Sequence, residues 1–165
     1  MDRSTARLAS RGTLTSPSAE HTRAIGRSLG RAARPGTVVA LAGELGAGKT
    51  QLAKGVADGL GVTSVVNSPT FILMNEHQGR LRLYHIDAYR LGDPEEAAAA
   101  GLLDEREVTG VTVIEWADRL DGWLPQERIE ILLTADPQRP MVRHLAWEAH
   151  GGAHELLATE ALAAS

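Results

Sequence analysis

The chain has 165 residues, is 43% hydrophobic and carries a net charge of −4, which are ordinary values for one globular domain with its own core. It contains no cysteine, which excludes a disulfide framework, thiolate chemistry and cysteine-based metal sites. Because no apolar run approaches a membrane span and the first residues lack the apolar block of a signal peptide, we expect a cytoplasmic protein without a membrane partner.

Positive charge is concentrated in the first fifth of the chain. Residues 1–34 hold seven arginines against two acidic residues, a balance of +5, whereas the rest holds ten basic and nineteen acidic residues, a balance of −9. The basic segment could contact RNA or an acidic partner, although solvated arginines on a surface helix are the commoner explanation. We expect residues 1–12 to be a flexible leader, 13–150 the folded domain and 151–165 a flexible or short helical tail.

The first helix is expected to begin at Ser16-Pro17, with the serine as N-cap and the proline in the first turn. The residues that then recur at helical spacing are Thr22, Ile25, Leu29 and Ala32. Pro35-Gly36 ends this helix.

A nucleotide-binding motif follows the apolar run at 37–42. Residues 43–50 read GELGAGKT, which fits the pattern G-x-x-x-x-G-K-[ST], and we call them the phosphate loop. Glycines let the backbone turn so that its N–H groups converge on phosphate oxygens, and the next helix points its positive end at the same place. The residues predicted to bind ATP are Glu44, Leu45, Gly46, Ala47, Gly48, Lys49 and Thr50. Lys49 would contact the outer phosphates as a catalytic group, and the Thr50 hydroxyl would hold Mg²⁺.

The rest of the chain predicts a mixed architecture. A helix near 49–60 buries Leu52, Val56 and Leu60, and an Ala-rich helix opens with a capping box at 93–96. Further strands are predicted at 71–74, 81–86, 111–114, 128–133 and 143–148. Strands that first alternate with helices and later follow one another predict a three-layer α/β domain. Its sheet would be mainly parallel with a late antiparallel extension, as in P-loop NTPases.

Two acidic residues at strand ends are candidates for the second half of the site. Asp87 follows the strand at 81–86 and Glu115 follows the strand at 111–114. Because ligands of open α/β sheets bind at the carboxyl ends of strands, both could reach the nucleotide rather than being solvated strand exits. We expect Glu115 to bind the metal and Asp87 to orient the attacking water or bind the metal through water. His85 could support Asp87 or be a buried, hydrogen-bonded core histidine.

The segment Ser68-Pro69-Thr70 is compatible with a plain turn or with a switch whose hydroxyl senses the γ-phosphate. With the phosphate loop, this segment, the run HIDAYRL at 85–91 and Glu115-Trp116 closely resemble the TsaE family over roughly residues 13–150. Members are bacterial ATPases required to make threonylcarbamoyladenosine next to the anticodon of tRNA.

The resemblance also implies roles and partners. It implies that Thr50 and Glu115 bind Mg²⁺, that Asp87 is catalytic and that Thr70, also catalytic, lies in a switch with Ser68. It further implies that Trp116 belongs to a Glu-Trp pair, and it places a C-terminal arginine strand, here Arg143, at the border of the base. The implied partners are the transferase TsaD and its paralogue TsaB, which the ATPase resets between cycles, with tRNA bound through that complex.

Other functions of a phosphate loop fit less well. A small-molecule kinase needs an arginine-bearing lid, and between Asp87 and Val111 the chain offers only Arg90 and Arg106. A GTPase of the Asn-Lys-x-Asp type is excluded because Lys49 and Lys54 are its only lysines. A docking scaffold that binds nucleotide without hydrolysing it remains an alternative.

Overall fold

The computed structural model describes residues 10–44, 46–64, 74–89, 109–120 and 122–162. The strands are β1 (Arg11–Ser16), β2 (Val38–Ala42), β3 (Met74–His77), β4 (Leu83–Asp87), β5 (Val111–Glu115), β6 (Arg128–Ala135) and β7 (Arg143–His150). The helices are α1 (Ala19–Ala32), α2 (Lys49–Gly59) and α3 (Gly152–Ala161), with a 3-10 helix at Ala117–Leu120. In the part of the chain that the structure describes, no helix is long and apolar enough to cross a bilayer.

The seven strands of the described residues form one sheet in the order β1-β7-β6-β2-β5-β4-β3. The four central strands, β6, β2, β5 and β4, run parallel, and β7, β1 and β3 add antiparallel pairs at the two edges. This confirms the predicted α/β fold with a parallel centre, although the antiparallel strands include the first strand as well as late ones. Because β2, β4 and β5 are parallel neighbours, their carboxyl ends meet at one edge of the sheet.

The central strands are apolar because both faces of the sheet are covered. Val39 and Leu41 of β2 belong to a large core cluster to which α1, α2 and α3 all contribute. Val38 and Ala40 point to the opposite face and pack in a smaller cluster with the 3-10 helix. The Ala-rich helix predicted from residue 93, and most of the strand predicted at 71–74, lie outside the described residues.

Strand β1 begins at Arg11, inside the segment expected to be a flexible leader. It pairs with β7 at the edge of the sheet, and Gly12 lies opposite Trp147. A Cβ atom at Gly12 would lie 2.7 Å from the Trp147 indole, so the missing side chain lets the ring cover this strand. The expectation of a leader reaching residue 12 was wrong because the partner of β1 lies more than a hundred residues further along the chain.

Helix α1 begins two residues later than predicted. Ser16 is the last residue of β1, and its hydroxyl lies 2.7 Å from the Thr22 hydroxyl in the protein interior. The N-cap is Ser18, which has an extended backbone and accepts a hydrogen bond of 3.1 Å from the His21 N–H. The prediction of Ser16 as N-cap was wrong because strand pairing already uses this residue.

Helices α1 and α2 pack backbone against backbone through two pairs of glycines. A Cβ atom would lie 2.3 Å from the Leu52 carbonyl oxygen at Gly26 and 2.0 Å from the Arg23 carbonyl oxygen at Gly55. One turn further on, Gly30 and Gly59 repeat the pattern, so the helices run parallel. The Arg23 guanidinium also forms a bidentate pair of hydrogen bonds with the Asp58 carboxylate, at 2.6 and 3.0 Å. These contacts hold α2, which carries Lys49 and Thr50, at a fixed distance from α1.

The last helix belongs to the core. Leu157, Ala158 and Ala161 of α3 pack in the large cluster, in the segment expected from residue 151 onward to be flexible or a short helix. His154 is 5% exposed, and its Nε2 atom accepts a hydrogen bond of 3.0 Å from the Val38 N–H. This contact ties α3 to the start of β2 and requires a neutral imidazole.

The stability of the protein is expected to fall as the pH drops below about 6.5, in part because of His154. Burial lowers the pKa of His154 from its ordinary value of 6.5, with the charge of His150 acting in the same direction and that of Glu127 against it. The unfolded chain therefore binds a proton at this histidine at a higher pH than the folded chain does. The contribution of neutral His154 to the free energy of unfolding is thus complete above about pH 6.5 and is lost on acidification. Urea unfolding at several pH values measures this slope.

Glutamine at position 154 keeps an oxygen that can accept from Val38 but does not titrate. We therefore expect His154→Gln to flatten the fall in unfolding free energy between neutral and mildly acidic pH. The control is His21→Gln, because the His21 side chain is exposed. A slope in His154→Gln as steep as in the parent protein would contradict this assignment.

Candidate nucleotide-binding site

The phosphate loop connects β2 to α2, as its sequence predicts. Gly43, Gly46 and Gly48 have φ values of 143°, 80° and 104°, a region that glycine enters freely and other residues avoid. Gly48 directly precedes α2, and no side chain caps the first N–H groups of that helix. The loop therefore has the backbone form of an anion cradle at a helix N-terminus.

Lys49 lies inside this loop and is only 5% exposed. Its Nζ atom donates hydrogen bonds to the carbonyl oxygens of Gly43 (2.6 Å) and Glu44 (2.8 Å). It also lies 3.9 Å from the centre of the Trp116 ring. Burial lowers the pKa of Lys49, and the negative charges of Glu115, Asp118 and Asp87, in decreasing order, oppose that shift.

Thr50 and Glu115, the predicted metal ligands, meet at the edge of the sheet. The Thr50 hydroxyl donates a hydrogen bond of 3.0 Å to Glu115 Oε1, although the residues are 65 positions apart in sequence. Glu115 ends β5, lies opposite Leu41 of β2 and is 1% exposed. A hydroxyl and a carboxylate are hard oxygen donors that suit Mg²⁺, which usually keeps several waters and binds substrate phosphates as well.

No cluster of three or more His, Cys, Asp or Glu side chains that could enclose a metal occurs among the described residues.

Asp87 ends β4 directly beside Glu115 in the register of the sheet. Its Oδ1 atom accepts a hydrogen bond of 2.9 Å from the Tyr89 N–H, and the next residue, Ala88, donates through its N–H to the Glu115 carbonyl oxygen. The structure thus brings Asp87 to the same edge as Thr50 and Glu115. Its charge is near enough to Lys49 to act on the pKa of that ammonium.

His85 contacts Glu115 rather than Asp87. Its Nε2 atom lies 2.5 Å from Glu115 Oε2, and the His85 side chain is fully buried. The suggestion that His85 supports Asp87 was therefore wrong; His85 is buried and hydrogen-bonded, as the alternative expected, and its partner is Glu115. Sequence alternation places His85 and Asp87 on one face of β4, but it does not say that the ring reaches the next strand.

Trp116 contacts both Lys49 and a second aromatic side chain. Trp116 has a φ of 59°, which is uncommon for a residue with a side chain and turns the chain from β5 into the 3-10 helix. Its ring packs against that of Tyr89 at a centroid distance of 4.7 Å, and the Arg119 guanidinium lies 4.9 Å from the Tyr89 ring. Trp116 therefore lies near the site through its contact with Lys49.

Sequence reasoning missed Asp118. This residue lies in the 3-10 helix and lines a cavity of about 590 Å³ together with Gly43, Glu44 and Trp116. Its position three residues after Glu115 could have marked it as a candidate site residue. The turn at Trp116, which brings it near the phosphate loop, cannot be predicted from the sequence. Its charge opposes the effect of burial on the pKa of Lys49.

Three predicted site residues lie outside the described residues: Leu45, Ser68 and Thr70. Their roles stay predictions. Arg143, at the start of β7, donates from Nη2 to the Gly46 carbonyl oxygen at 3.1 Å, so its side chain contacts the phosphate loop.

Comparisons with known proteins show a family relationship over most of the chain. The family described as "Threonylcarbamoyl adenosine biosynthesis protein TsaE" matches residues 16–144. The tRNA threonylcarbamoyladenosine biosynthesis protein TsaE of Bacillus subtilis is 42% identical over 144 residues, which cover 86% of this chain and 87% of the relative. The protein of the same name from Treponema pallidum is 44% identical over 118 residues, covering 72% and 87%.

A solved structure gives the same result at the level of the fold. The crystal structure of Bacillus subtilis YdiB matches with a TM-score of 0.74 and 33% sequence identity, covering 92% of this chain and 94% of that one. The resemblance first noted in the phosphate loop and the strand-end acids thus extends over most of the chain. The chain belongs to the TsaE family.

Proposed function

We propose that this protein is a cytoplasmic, Mg²⁺-dependent ATPase that supports threonylcarbamoylation of tRNA together with TsaB and TsaD. The observation that carries the ATPase proposal is the hydrogen bond of 3.0 Å between the Thr50 hydroxyl and Glu115 Oε1, at the N-terminus of α2. It brings two oxygen ligands of the type that Mg²⁺ prefers to the end of a glycine-rich loop.

Each residue of the site has a proposed part. The backbone N–H groups of the phosphate loop and the Lys49 ammonium would bind the phosphates, and Thr50 and Glu115 would hold Mg²⁺. When bound, Mg²⁺ neutralises the charge that develops on phosphate oxygens. Asp87, and Thr70 outside the described residues, would position the attacking water. Phosphate oxygens would also replace the carbonyl oxygens of Gly43 and Glu44 as partners of Lys49.

The proposed biological role comes from the relatives. Those described above are named as biosynthesis proteins of tRNA threonylcarbamoyladenosine. The resemblance adds TsaB and TsaD as binding partners and tRNA as the molecule that their complex modifies. A reset of that complex by ATP hydrolysis predicts slow turnover by the isolated protein and faster turnover in its company.

The test is ATP turnover by the purified protein, measured alone, with the TsaB–TsaD pair and with the pair plus tRNA. We expect slow phosphate release alone and a clear acceleration with the pair. Tight nucleotide binding without phosphate release under all three conditions would overturn the ATPase in favour of a docking scaffold. Transfer of the γ-phosphate to a small molecule instead of water would overturn it in favour of a kinase.

A further inference from the structure

We propose that His85 is a positioning residue that holds the Glu115 carboxylate in the orientation needed to bind the metal. This inference rests on the proposed function, because it assigns a role toward the same Mg²⁺ ligand. The two oxygen atoms of Glu115 have different partners. Oε2 lies 2.5 Å from His85 Nε2, and Oε1 accepts from the Thr50 hydroxyl at 3.0 Å. A carboxylate held at both oxygens cannot rotate freely.

The sheet explains how the contact arises. Strands β4 and β5 are parallel neighbours, with His85 opposite Val113 and Asp87 opposite Glu115. His85 is thus two residues before Asp87 on the same face of β4, and its ring reaches forward and across to the end of β5. Because His85 is 0% and Glu115 1% exposed, this contact is shielded from bulk solvent.

The chemistry of the two groups sets the direction of the hydrogen bond. An ionised carboxylate only accepts, so the His85 ring donates from Nε2 to Glu115 Oε2. Nδ1 has no hydrogen-bond partner among the described residues, and Glu115 is the polar partner that those residues provide for the ring. A buried polar ring with one ring nitrogen unpaired costs more than an apolar side chain of similar size. Filling the core therefore does not account for histidine here, whereas orienting Glu115 does.

Loss of this donor would affect metal binding more than phosphate binding. Partners that orient a metal ligand typically change metal affinity by about 10–100-fold when removed. The phosphates would be bound separately, by loop N–H groups and Lys49, none of which contacts His85 in the described structure. A purely structural histidine would instead alter binding with and without Mg²⁺ to the same degree.

The experiment is titration of the full-length protein with a fluorescent ATP analogue, at increasing Mg²⁺ and separately in EDTA. For His85→Leu we expect the Mg²⁺ concentration at half-maximal binding to rise about 10–100-fold, with binding in EDTA within about twofold of the parent. For His85→Gln, whose amide nitrogen can donate at the position of Nε2, we expect most of the Mg²⁺ dependence to return. For His85→Asn, whose shorter amide cannot reach Glu115, we expect the loss seen with leucine, so this variant serves if His85→Leu does not fold.

Two further variants separate the possible failures. His154→Leu removes a buried histidine far from the phosphate loop, and it should leave the Mg²⁺ requirement unchanged even if stability falls. Glu115→Ala should raise the Mg²⁺ requirement; if it does not, the metal role within the proposed function is wrong. If Glu115→Ala raises the requirement while His85→Leu or His85→Asn does not, or if His85→Gln is as impaired as these two, the role of His85 is overturned.

Discussion

Replacing Lys49 with alanine is expected to lower ATP turnover by at least ~100-fold, since a single preorganised group that stabilises transition-state charge is typically worth about 10²–10³ in rate. Lys49 is buried in the phosphate loop. Arginine would not be an equivalent replacement, because the loop would have to accommodate a planar guanidinium in place of a slim ammonium. Phosphate release from saturating ATP is the measurement. Nucleotide affinity, from titration of a fluorescent analogue, is expected to fall as well.

Lys54 provides a matched control, since it is the only other lysine of the chain and lies on the same helix. Lys54→Ala removes the same charge five residues further along α2 and should leave turnover within about twofold, in line with the small effects of substitutions away from a site. Turnover by Lys49→Ala equal to that of Lys54→Ala would remove the basis for a nucleotide site in this loop. Urea unfolding of both variants checks that neither result comes from a loss of fold.

Replacing Gly55 with alanine is expected to lower the free energy of unfolding by about 3 kcal/mol, at the upper end of the range for overpacking. The new Cβ atom would lie 2.0 Å from the Arg23 carbonyl oxygen, and a backbone atom in a helix cannot turn aside as a side chain can. Alanine gains about 1 kcal/mol over glycine in helix propensity, which does not offset this clash. Helices α1 and α2 must therefore separate.

The matched control is Gly152→Ala at the start of α3. A Cβ atom there would meet no atom within 4 Å, so its effect should stay within about 0.5 kcal/mol. Urea unfolding curves with a common m-value give both free energies. Because α2 carries Lys49 and Thr50, Gly55→Ala should also weaken binding of the fluorescent nucleotide. A Gly55→Ala protein as stable as the parent would show that α1 and α2 do not depend on backbone contact.

Features encoded in consecutive residues could be predicted from the sequence. The phosphate loop at 43–50 is one such feature, because glycines at fixed positions between an apolar strand and a helix are compatible with few other backbone conformations. Strands β2 and β5 are others, since uninterrupted apolar runs indicate a strand covered on both faces. The meeting of Asp87 and Glu115 followed from topology alone, because parallel neighbours end at the same edge of a sheet.

Features that depend on distant partners could not be predicted. Strand β1 lies at an edge of the sheet, and its pairing with β7 and its contact with the Trp147 ring, both distant in sequence, stabilise it there. The same pairing takes Ser16 into the sheet and moves the N-cap of α1 to Ser18, although either serine could cap a helix. Local preference decides such boundaries only where no tertiary contact competes.

The sequence by itself determined the family and the α/β class, and it named the groups proposed to bind ATP and Mg²⁺, because these depend on residue type and local order. Only the tertiary structure decided which groups touch: His85 with Glu115, Lys49 with Trp116, and Asp118 near the phosphate loop. Those contacts depend on strand register, on the direction of each side chain and on the turn at Trp116. Packing of the whole chain sets these quantities, and no short segment contains them.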